Sequence, residues 1–121
     1  MRLLLSISLA LYLGSAQAES IRMLVQSSPL AGSQYYALGE LRAEMRLGDT
    51  LTLIREPENR HDRRAIRVEW RGTKLGYLPR KENREVAAAM DAGERVSARI
   101  SRLRDDPDPW KRVEIEVFLH L

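Results

Sequence analysis

The chain has 121 residues, a formal net charge of +3 and no cysteine. A chain of this length forms one small domain, and the lack of cysteine excludes disulfide bonds and thiolate metal sites. The small positive charge is compatible with binding a phosphate backbone but does not demonstrate it.

Residues 1–18 have the layout of a secretory signal peptide. Arg2 gives a positive start, an uncharged apolar run extends from Leu3 to Leu13, and the sequence AQA at residues 16–18 is a small-x-small cleavage site. The run is shorter than the about 20 apolar residues that span a bilayer, so an uncleaved anchor is only the alternative. We therefore expect export to the periplasm or the medium, no membrane attachment after cleavage, and a domain over residues 19–121.

The rest of the chain shows short alternating segments separated by turn residues, which predicts six strands and two short helices. In chain order the predicted strands are Ile21–Gln26, Thr50–Arg55, Ala65–Trp70, Lys74–Leu78, Arg95–Arg104 and Trp110–Leu119. A loop is predicted at residues 27–33, a helix at Gly39–Gly48 and a second helix at Lys81–Ala92. This content indicates a mainly β or α+β fold, and a small closed or nearly closed barrel is its economical form because closure removes exposed edges.

Two features of the central segment predict local geometry. Arg71-Gly72 separates two strands and predicts a tight hairpin turn. Gly76 leaves one face of the following strand without a side chain, so another backbone or a ligand can approach closely there.

Tyr35 and Tyr36 stand together, and adjacent strand residues point to opposite faces, so one ring could pack inward while the other is presented to a ligand.

The turn at residues 56–62 combines Pro, Asn, His and Asp, which are residue types that hold an irregular backbone by side-chain hydrogen bonds. We expect any functional site to lie there. Single-stranded nucleic acid is held by aromatic faces together with basic side chains. Residues of both types are available near the turn and in the segments around it: Tyr35, His61, Tyr77, Arg55, Arg80 and Lys81.

Together these segments resemble the HIRAN domain family. The resemblance is carried by LIREPENRHD at residues 53–62, AIRV at 65–68 and KLGYLPR at 74–80, and it extends over roughly residues 21–121. It implies a small OB-like β-barrel with six strands and two short helices. In the fork-remodelling members of the family, the domain captures the 3′ end of single-stranded DNA.

The resemblance also implies roles for individual residues. Tyr35 matches an aromatic that stacks on a terminal base, and His61 stands where a second stacking aromatic, a Tyr, is found. Asn59 and Asp62 match groups near the terminal nucleotide and its 3′-hydroxyl, and Arg80 matches a phosphate contact. Gln34 stands where those members have an Arg. The complete set of candidate nucleic-acid-binding residues is Tyr35, Tyr36, Arg55, Asn59, His61, Asp62, Tyr77, Arg80 and Lys81.

Simpler interpretations of the same residues remain open. Asn59 and Asp62 could only brace the turn, and Tyr77 could be a core residue. Glu56, His61 and Asp62 are all metal-ligand types, but the chain has only two histidines and no cysteine, so we expect no metal and no cofactor. No nucleophile motif is present, so we expect no enzyme activity. The alternative function is a periplasmic module that binds a protein, peptide or glycan in the same groove.

Overall fold

The computed structural model describes residues 21–121, so the predicted signal peptide lies outside the described residues. Six strands form one antiparallel sheet in the order β1-β6-β5-β2-β3-β4. The strands are β1 (Arg22–Pro29), β2 (Thr50–Arg55), β3 (Ile66–Trp70), β4 (Thr73–Tyr77), β5 (Val96–Leu103) and β6 (Val113–His120). The two α-helices are α1 (Leu38–Leu41) and α2 (Arg84–Asp91), and 3₁₀ turns lie at Ser33–Tyr35, Arg42–Glu44, Arg80–Glu82 and Pro109–Lys111.

The two edges of this sheet, β1 and β4, meet at one antiparallel bridge between Ala31 and Tyr77. The amide of Ala31 donates to the carbonyl of Tyr77 at 2.8 Å, and the amide of Tyr77 donates back to the carbonyl of Ala31 at 3.0 Å. The sheet is therefore open in its strand pairing but is held into a barrel-like curl by this pair of bonds. The prediction of a small OB-like, mainly β fold with six strands and two short helices is confirmed.

Gly76 is the residue that allows the two edges to approach. It has a φ of +154°, and a Cβ placed on it would lie 2.3 Å from the carbonyl oxygen of Ala31. The predicted close approach at Gly76 is therefore a backbone contact between β4 and the segment that follows β1. The predicted hairpin turn is also present, because Arg71 and Gly72 both have positive φ, at 47° and 80°. That pair of conformations suits a tight two-residue turn between twisted strands.

The core lies inside the curl and is built from the alternating apolar residues of the strands. On β3 the buried side chains are Ile66, Val68 and Trp70, while Arg67 and Glu69 take the other face, as the alternation predicts. Helix α2 covers one end of the core with Val86 and Ala87. Asp91 at the last turn of α2 forms a two-bond ion pair with Arg55 on β2, at 2.8 and 3.1 Å, and this pair fixes the helix to the sheet.

Four predicted elements were wrong in extent. The last strand, predicted from Trp110, begins at Val113, because Pro109–Lys111 form a 3₁₀ turn. The loop predicted from residue 27 is still strand as far as Pro29, where a residue without an amide hydrogen is tolerated at the end of an edge strand. The helix predicted at Gly39–Gly48 is only one α-turn followed by a 3₁₀ turn, because Met45 adopts an extended conformation that buries its side chain in the core. Helix α2 is likewise shorter at its start than predicted, because residues 80–82 form a 3₁₀ turn.

No helix within residues 21–121 is long and apolar enough to cross a membrane.

Candidate nucleic-acid interface

The turn between β2 and β3 is held by the side chain of Asn59. Its Oδ1 accepts hydrogen bonds from the amides of His61 at 2.9 Å and Asp62 at 3.2 Å, and its Nδ2 donates to Glu56 Oε1 at 3.0 Å. Asn59 thus fixes the backbone on which the next three residues stand. In this structure the side chain of Asn59 therefore braces the turn, as one of the two interpretations of this residue predicts.

Asp62 is fixed by contacts on both sides. Its Oδ1 accepts from the amide of Arg64 at 2.9 Å, and its Oδ2 accepts from Asn83 Nδ2 at 2.8 Å. Asn83 is almost fully buried, so it holds the carboxylate from within the protein, just before α2. The carboxylate itself is half-buried, and each of its oxygens has a second lone pair that can accept a hydrogen bond.

The turn forms one wall of a surface groove with a volume of about 260 Å³. The segment after β1 and the end of β4 form the opposite side and the floor, since the Ala31–Tyr77 bridge lies here. The lining residues are Ala31, Tyr36, Asn59, His61, Asp62, Ala65, Tyr77, Leu78 and Arg80. Six of the nine candidate residues are therefore brought together in one groove, although they come from distant parts of the chain.

Two of the lining residues, Tyr36 and Tyr77, form an aromatic pair that is held by Lys74. The rings of Tyr36 and Tyr77 meet edge to face with their centroids 6.2 Å apart. Lys74 Nζ lies 4.3 Å from the Tyr36 ring centroid and 4.5 Å from the Tyr77 ring centroid, and it donates a hydrogen bond to the Tyr77 hydroxyl at 2.7 Å. Cation–π contact and the hydrogen bond together hold both rings in place.

The same cluster determines the charge state of Glu56. The Tyr77 hydroxyl donates to Glu56 Oε1 at 2.9 Å, and Arg67 donates to Glu56 Oε2 at 2.9 Å. Burial acts to raise the pKa of the Glu56 carboxyl, but the hydrogen bonds from Asn59 and Tyr77 and the nearby positive charges hold that pKa below its usual value. Glu56 is therefore a carboxylate, and its hydrogen bonds with Asn59 and Tyr77 connect the turn to the aromatic pair.

This arrangement predicts a pH dependence of stability. Because the folded pKa of Glu56 is lowered, its contribution is fully present above the unfolded pKa of about 4.3 and is lost as pH falls through the lower folded value. We expect urea unfolding to show a smaller loss of stability below about pH 4.3 in Glu56→Gln than in the unchanged protein. Glu58→Gln, on an exposed residue of the same turn, should keep the full pH dependence. If the free energy of unfolding fell equally steeply with decreasing pH in Glu56→Gln and in the unchanged protein, the lowered pKa of Glu56 would be contradicted.

A second surface groove shares Arg80 with the first. It is lined by Pro79, Arg80, Lys81, Glu82 and Trp110. Arg80 lines both grooves, so they share one wall. Trp110 is 53% exposed and presents an aromatic face beside Lys81. The second groove thus adds Lys81 and Trp110 to the basic and aromatic side chains of the first.

Three of the candidate residues do not line the first groove. Lys81 lines the second groove, as described above. Tyr35 ends the 3₁₀ turn next to Tyr36, and its side chain is 77% exposed. The guanidinium of Arg55 is engaged by Asp91 and also donates to the carbonyl of Ala65 at 3.0 Å. The hydrogen bond to Asp91 raises the pKa of Arg55 above its usual value, and the charge of Asp91 adds to this effect, although burial acts to lower the pKa.

Within residues 21–121, no three His, Asp or Glu side chains are grouped as a metal ion would require. Glu56, which the sequence suggested as a ligand type, instead accepts hydrogen bonds from Asn59, Tyr77 and Arg67.

Sequence reasoning missed two residues that shape the site. Lys74 lies three positions before Tyr77, and its place between two rings depends on the approach of the segment that contains Tyr36. Asn83 stands before a helix, where an Asn normally indicates a cap, but its side chain reaches Asp62. Residues three apart on a strand are expected on opposite faces, so nothing local pointed to the contact of Lys74 with Tyr77 or to Asn83.

The fold and the site thus define a small OB-like domain with an aromatic and basic groove where the sheet edges meet. The family model of the HIRAN domain matches residues 23–121, so the chain belongs to the HIRAN domain family. HIRAN domains are known for nucleic-acid binding, and membership supports a role as a nucleic-acid-binding module.

Two solved structures are similar to this chain. A crystal structure of a protein from Lactobacillus plantarum has 25% sequence identity and a TM-score of 0.72, and the match covers 84% of this chain and 98% of that chain. The crystal structure of the HIRAN domain of human HLTF has 17% identity and a TM-score of 0.67, and the match covers 86% of this chain and 81% of that chain. The latter likeness concerns the fold. The search of curated proteins found no match.

Proposed function

We propose that this domain captures the 3′ end of single-stranded DNA in the first groove, without catalysing a reaction. The observation that carries the proposal is that one groove combines three aromatic rings, a guanidinium and a carboxylate, contributed by Tyr36, His61, Tyr77, Arg80 and Asp62. Membership in the HIRAN family supports the ligand class.

Each of these groups has a distinct use toward a strand end. The exposed ring of His61 offers a face on which a base can stack, and stacking contributes about 1–3 kcal/mol per base. Arg80 offers a bidentate donor for a phosphate. The carboxylate of Asp62 repels a phosphate but can accept a hydrogen bond from a hydroxyl. A groove that pairs a carboxylate with a guanidinium therefore fits a terminal 3′-hydroxyl followed by a phosphate one nucleotide inward.

The second groove supports an extended path for the strand. Because Arg80 lines both grooves, the nucleotides behind the captured end could pass from Arg80 to Lys81 and Trp110. Aromatic faces bind bases of any sequence, so this path would recognise the end and the single-stranded state and not a base sequence.

Fluorescence anisotropy with labelled oligonucleotides tests the proposal. We expect a 3′-hydroxyl strand to bind about tenfold or more tightly than the same strand with a 3′-phosphate, since a hydrogen bond to a charged group contributes about 1.5–3 kcal/mol. Asp62→Asn should remove most of this preference. The ratio of the two affinities is the readout, because a general loss of stability would affect both strands alike.

The same assay includes strands with different 5′ ends, and three results would contradict the proposal or its parts. Changing a 5′-hydroxyl to a 5′-phosphate should leave the affinity unchanged. Equal affinity for both 3′ ends would contradict end capture. No saturable binding at low salt would contradict nucleic-acid binding altogether and favour the alternative, a module for a protein, peptide or glycan. An oligonucleotide that is shortened during incubation with Mg²⁺ would contradict the non-catalytic role.

We further propose that the domain acts outside the cytoplasm, on extracellular or incoming DNA. The signal-peptide layout of residues 1–18 supports this location. Mass spectrometry of the protein recovered from its host tests it: a mature chain that begins at Glu19 is expected. A cytoplasmic protein with residues 1–18 intact would contradict export.

A further inference from the structure

The first four residues of β1 form an unusual sheet edge. Within the described residues, β1 pairs with β6 on one side and with no strand on the other between Arg22 and Val25. The carbonyl of Ile21 accepts from the amide of Leu121 at 2.8 Å, so Ile21 faces the β6 side. Backbone groups alternate in direction along an antiparallel pair, which places those of Arg22 and Leu24 on the free edge.

Among residues 21–121, no proline lies at positions 22–25 of this edge and no strand pairs with it there. Ile21, Met23, Leu24 and Val25 are between 47% and 71% exposed, and all are apolar. The one charged residue among them is Arg22, and its guanidinium lies over the ring of Phe118 at 4.6 Å, above the neighbouring strand. Isolated sheet edges are usually protected by charges, prolines or a covering segment, and an apolar edge without them is a template for another strand.

We propose that this edge pairs with the same edge of a second copy, forming a twofold dimer with a continuous sheet. An antiparallel pairing of identical strands is self-complementary, which is the condition for a closed dimer. With the twofold axis at Met23, that residue faces its own copy, Ile21 faces Val25 of the second copy, and Arg22 faces Leu24 of the second copy. Met23, Ile21 and Val25 then meet apolar side chains, Leu24 meets Arg22, whose guanidinium lies over Phe118, and no two like charges face each other.

Two further observations fit this register. The bulge between Leu24 and Gln26 ends the regular edge, so pairing is confined to residues 21–25. Val25 also borders an apolar pocket of about 190 Å³ whose other lining residues include Val86, Val96 and Leu119. Ile21 of the second copy would lie beside Val25 and could place its side chain at the mouth of this pocket.

The dimer would leave the first groove of each copy open. Ala31 in the floor of the groove lies eight residues beyond Met23, which is about 25 Å along an extended strand. Two grooves in one particle would bind two strand ends, and the second binding event would benefit from a high effective concentration. This consequence depends on the proposed function, but the dimer itself does not.

Cysteine cross-linking tests the register in the whole protein as purified, because the chain contains no cysteine of its own. At the axis, the Cα atoms of a non-hydrogen-bonded pair lie about 4.5 Å apart, within the range of a disulfide. Met23→Cys should therefore cross-link to a covalent dimer on mild oxidation. Leu47→Cys, on an exposed apolar residue outside β1, should remain monomeric on the same gel. No cross-link at Met23 would overturn this register.

Sedimentation velocity tests the dimer. The unchanged protein is expected to sediment at twice the monomer mass, Leu24→Lys as a monomer, and Leu47→Lys as a dimer. A monomer at all attainable concentrations, or a dimer that Leu24→Lys does not weaken, would overturn the proposal. A monomer whose amides at Arg22 and Leu24 are nonetheless protected from hydrogen exchange would also overturn it and would assign the edge to residues 1–20. The anisotropy assay tests DNA binding separately, so either proposal can be contradicted without affecting the other.

Discussion

Gly76→Ala is expected to lower the free energy of unfolding by about 3 kcal/mol or more, enough to unfold a large fraction of so small a domain. The added Cβ would lie 2.3 Å from the carbonyl oxygen of Ala31, a backbone atom that cannot move aside alone. The φ of +154° adds strain for any residue with a side chain. Relief requires separating β4 from Ala31, which breaks both hydrogen bonds between the sheet edges.

Gly39→Ala is the matched control. Gly39 lies in α1, its φ is not in the left-handed region, and an added Cβ would have no atom within 4 Å. The same chemical change there should be neutral or stabilising by up to about 1 kcal/mol, since alanine is favoured in helices. Urea and thermal unfolding measure both variants. Similar stability of Gly76→Ala and the unchanged protein would show that the edges do not depend on this close approach.

His61→Ala is expected to weaken the binding of single-stranded DNA about tenfold or more, because one stacking surface is removed. The stability should change little, because the side chain of His61 is exposed and the bond to Asn59 Oδ1 comes from the backbone amide. Anisotropy and thermal unfolding of the same preparation separate the two effects. A loss of stability that accounts for the lost binding would contradict a direct contact.

His120→Ala gives the matched control for His61→Ala. It is the other histidine of the chain, and its ring contacts Ser97 on β5 and not the groove. Binding of DNA by this variant should equal that of the unchanged protein. The resemblance implies that Tyr35 stacks on a terminal base, but its side chain is 77% exposed and does not line the first groove, so Tyr35→Leu should weaken binding less than His61→Ala. Tyr36→Phe should preserve binding, since the ring that meets Tyr77 and Lys74 is retained.

The strands could be predicted from sequence because each alternates apolar and polar residues over a short distance. Thr50–Arg55 was predicted with its observed bounds, and the turn at Arg71-Gly72 follows from residues that accept positive φ. The extent of α1 was not predictable in this way, because the burial of Met45 ends the helix and depends on the whole core. Local sequence patterns describe a strand well and the limits of a short helix poorly.

For the site, the turn chemistry identifies a turn that lines the first groove, but it does not identify the contacts that hold this turn. Asn59 and Asp62 were assigned to a brace or to a ligand, and the structure shows the brace in detail. The contact of Asp62 with Asn83 joins residues 21 positions apart, and that of Lys74 with Tyr36 depends on the sheet edges meeting. The engagement of Arg55 by Asp91 is equally invisible in the sequence, since it depends on where α2 packs.

The hydrogen-bonded seam between the sheet edges has a consequence for any ligand of the groove. Both residues of that seam, Ala31 and Tyr77, also line the cavity. Fraying of β1 away from β4 would therefore dismantle the cavity at once, without unfolding the remaining strands. A bound molecule would in turn stabilise the hydrogen-bonded state of the two edges, because it binds only when they are joined. Ligand binding and closure of the barrel would therefore be thermodynamically coupled.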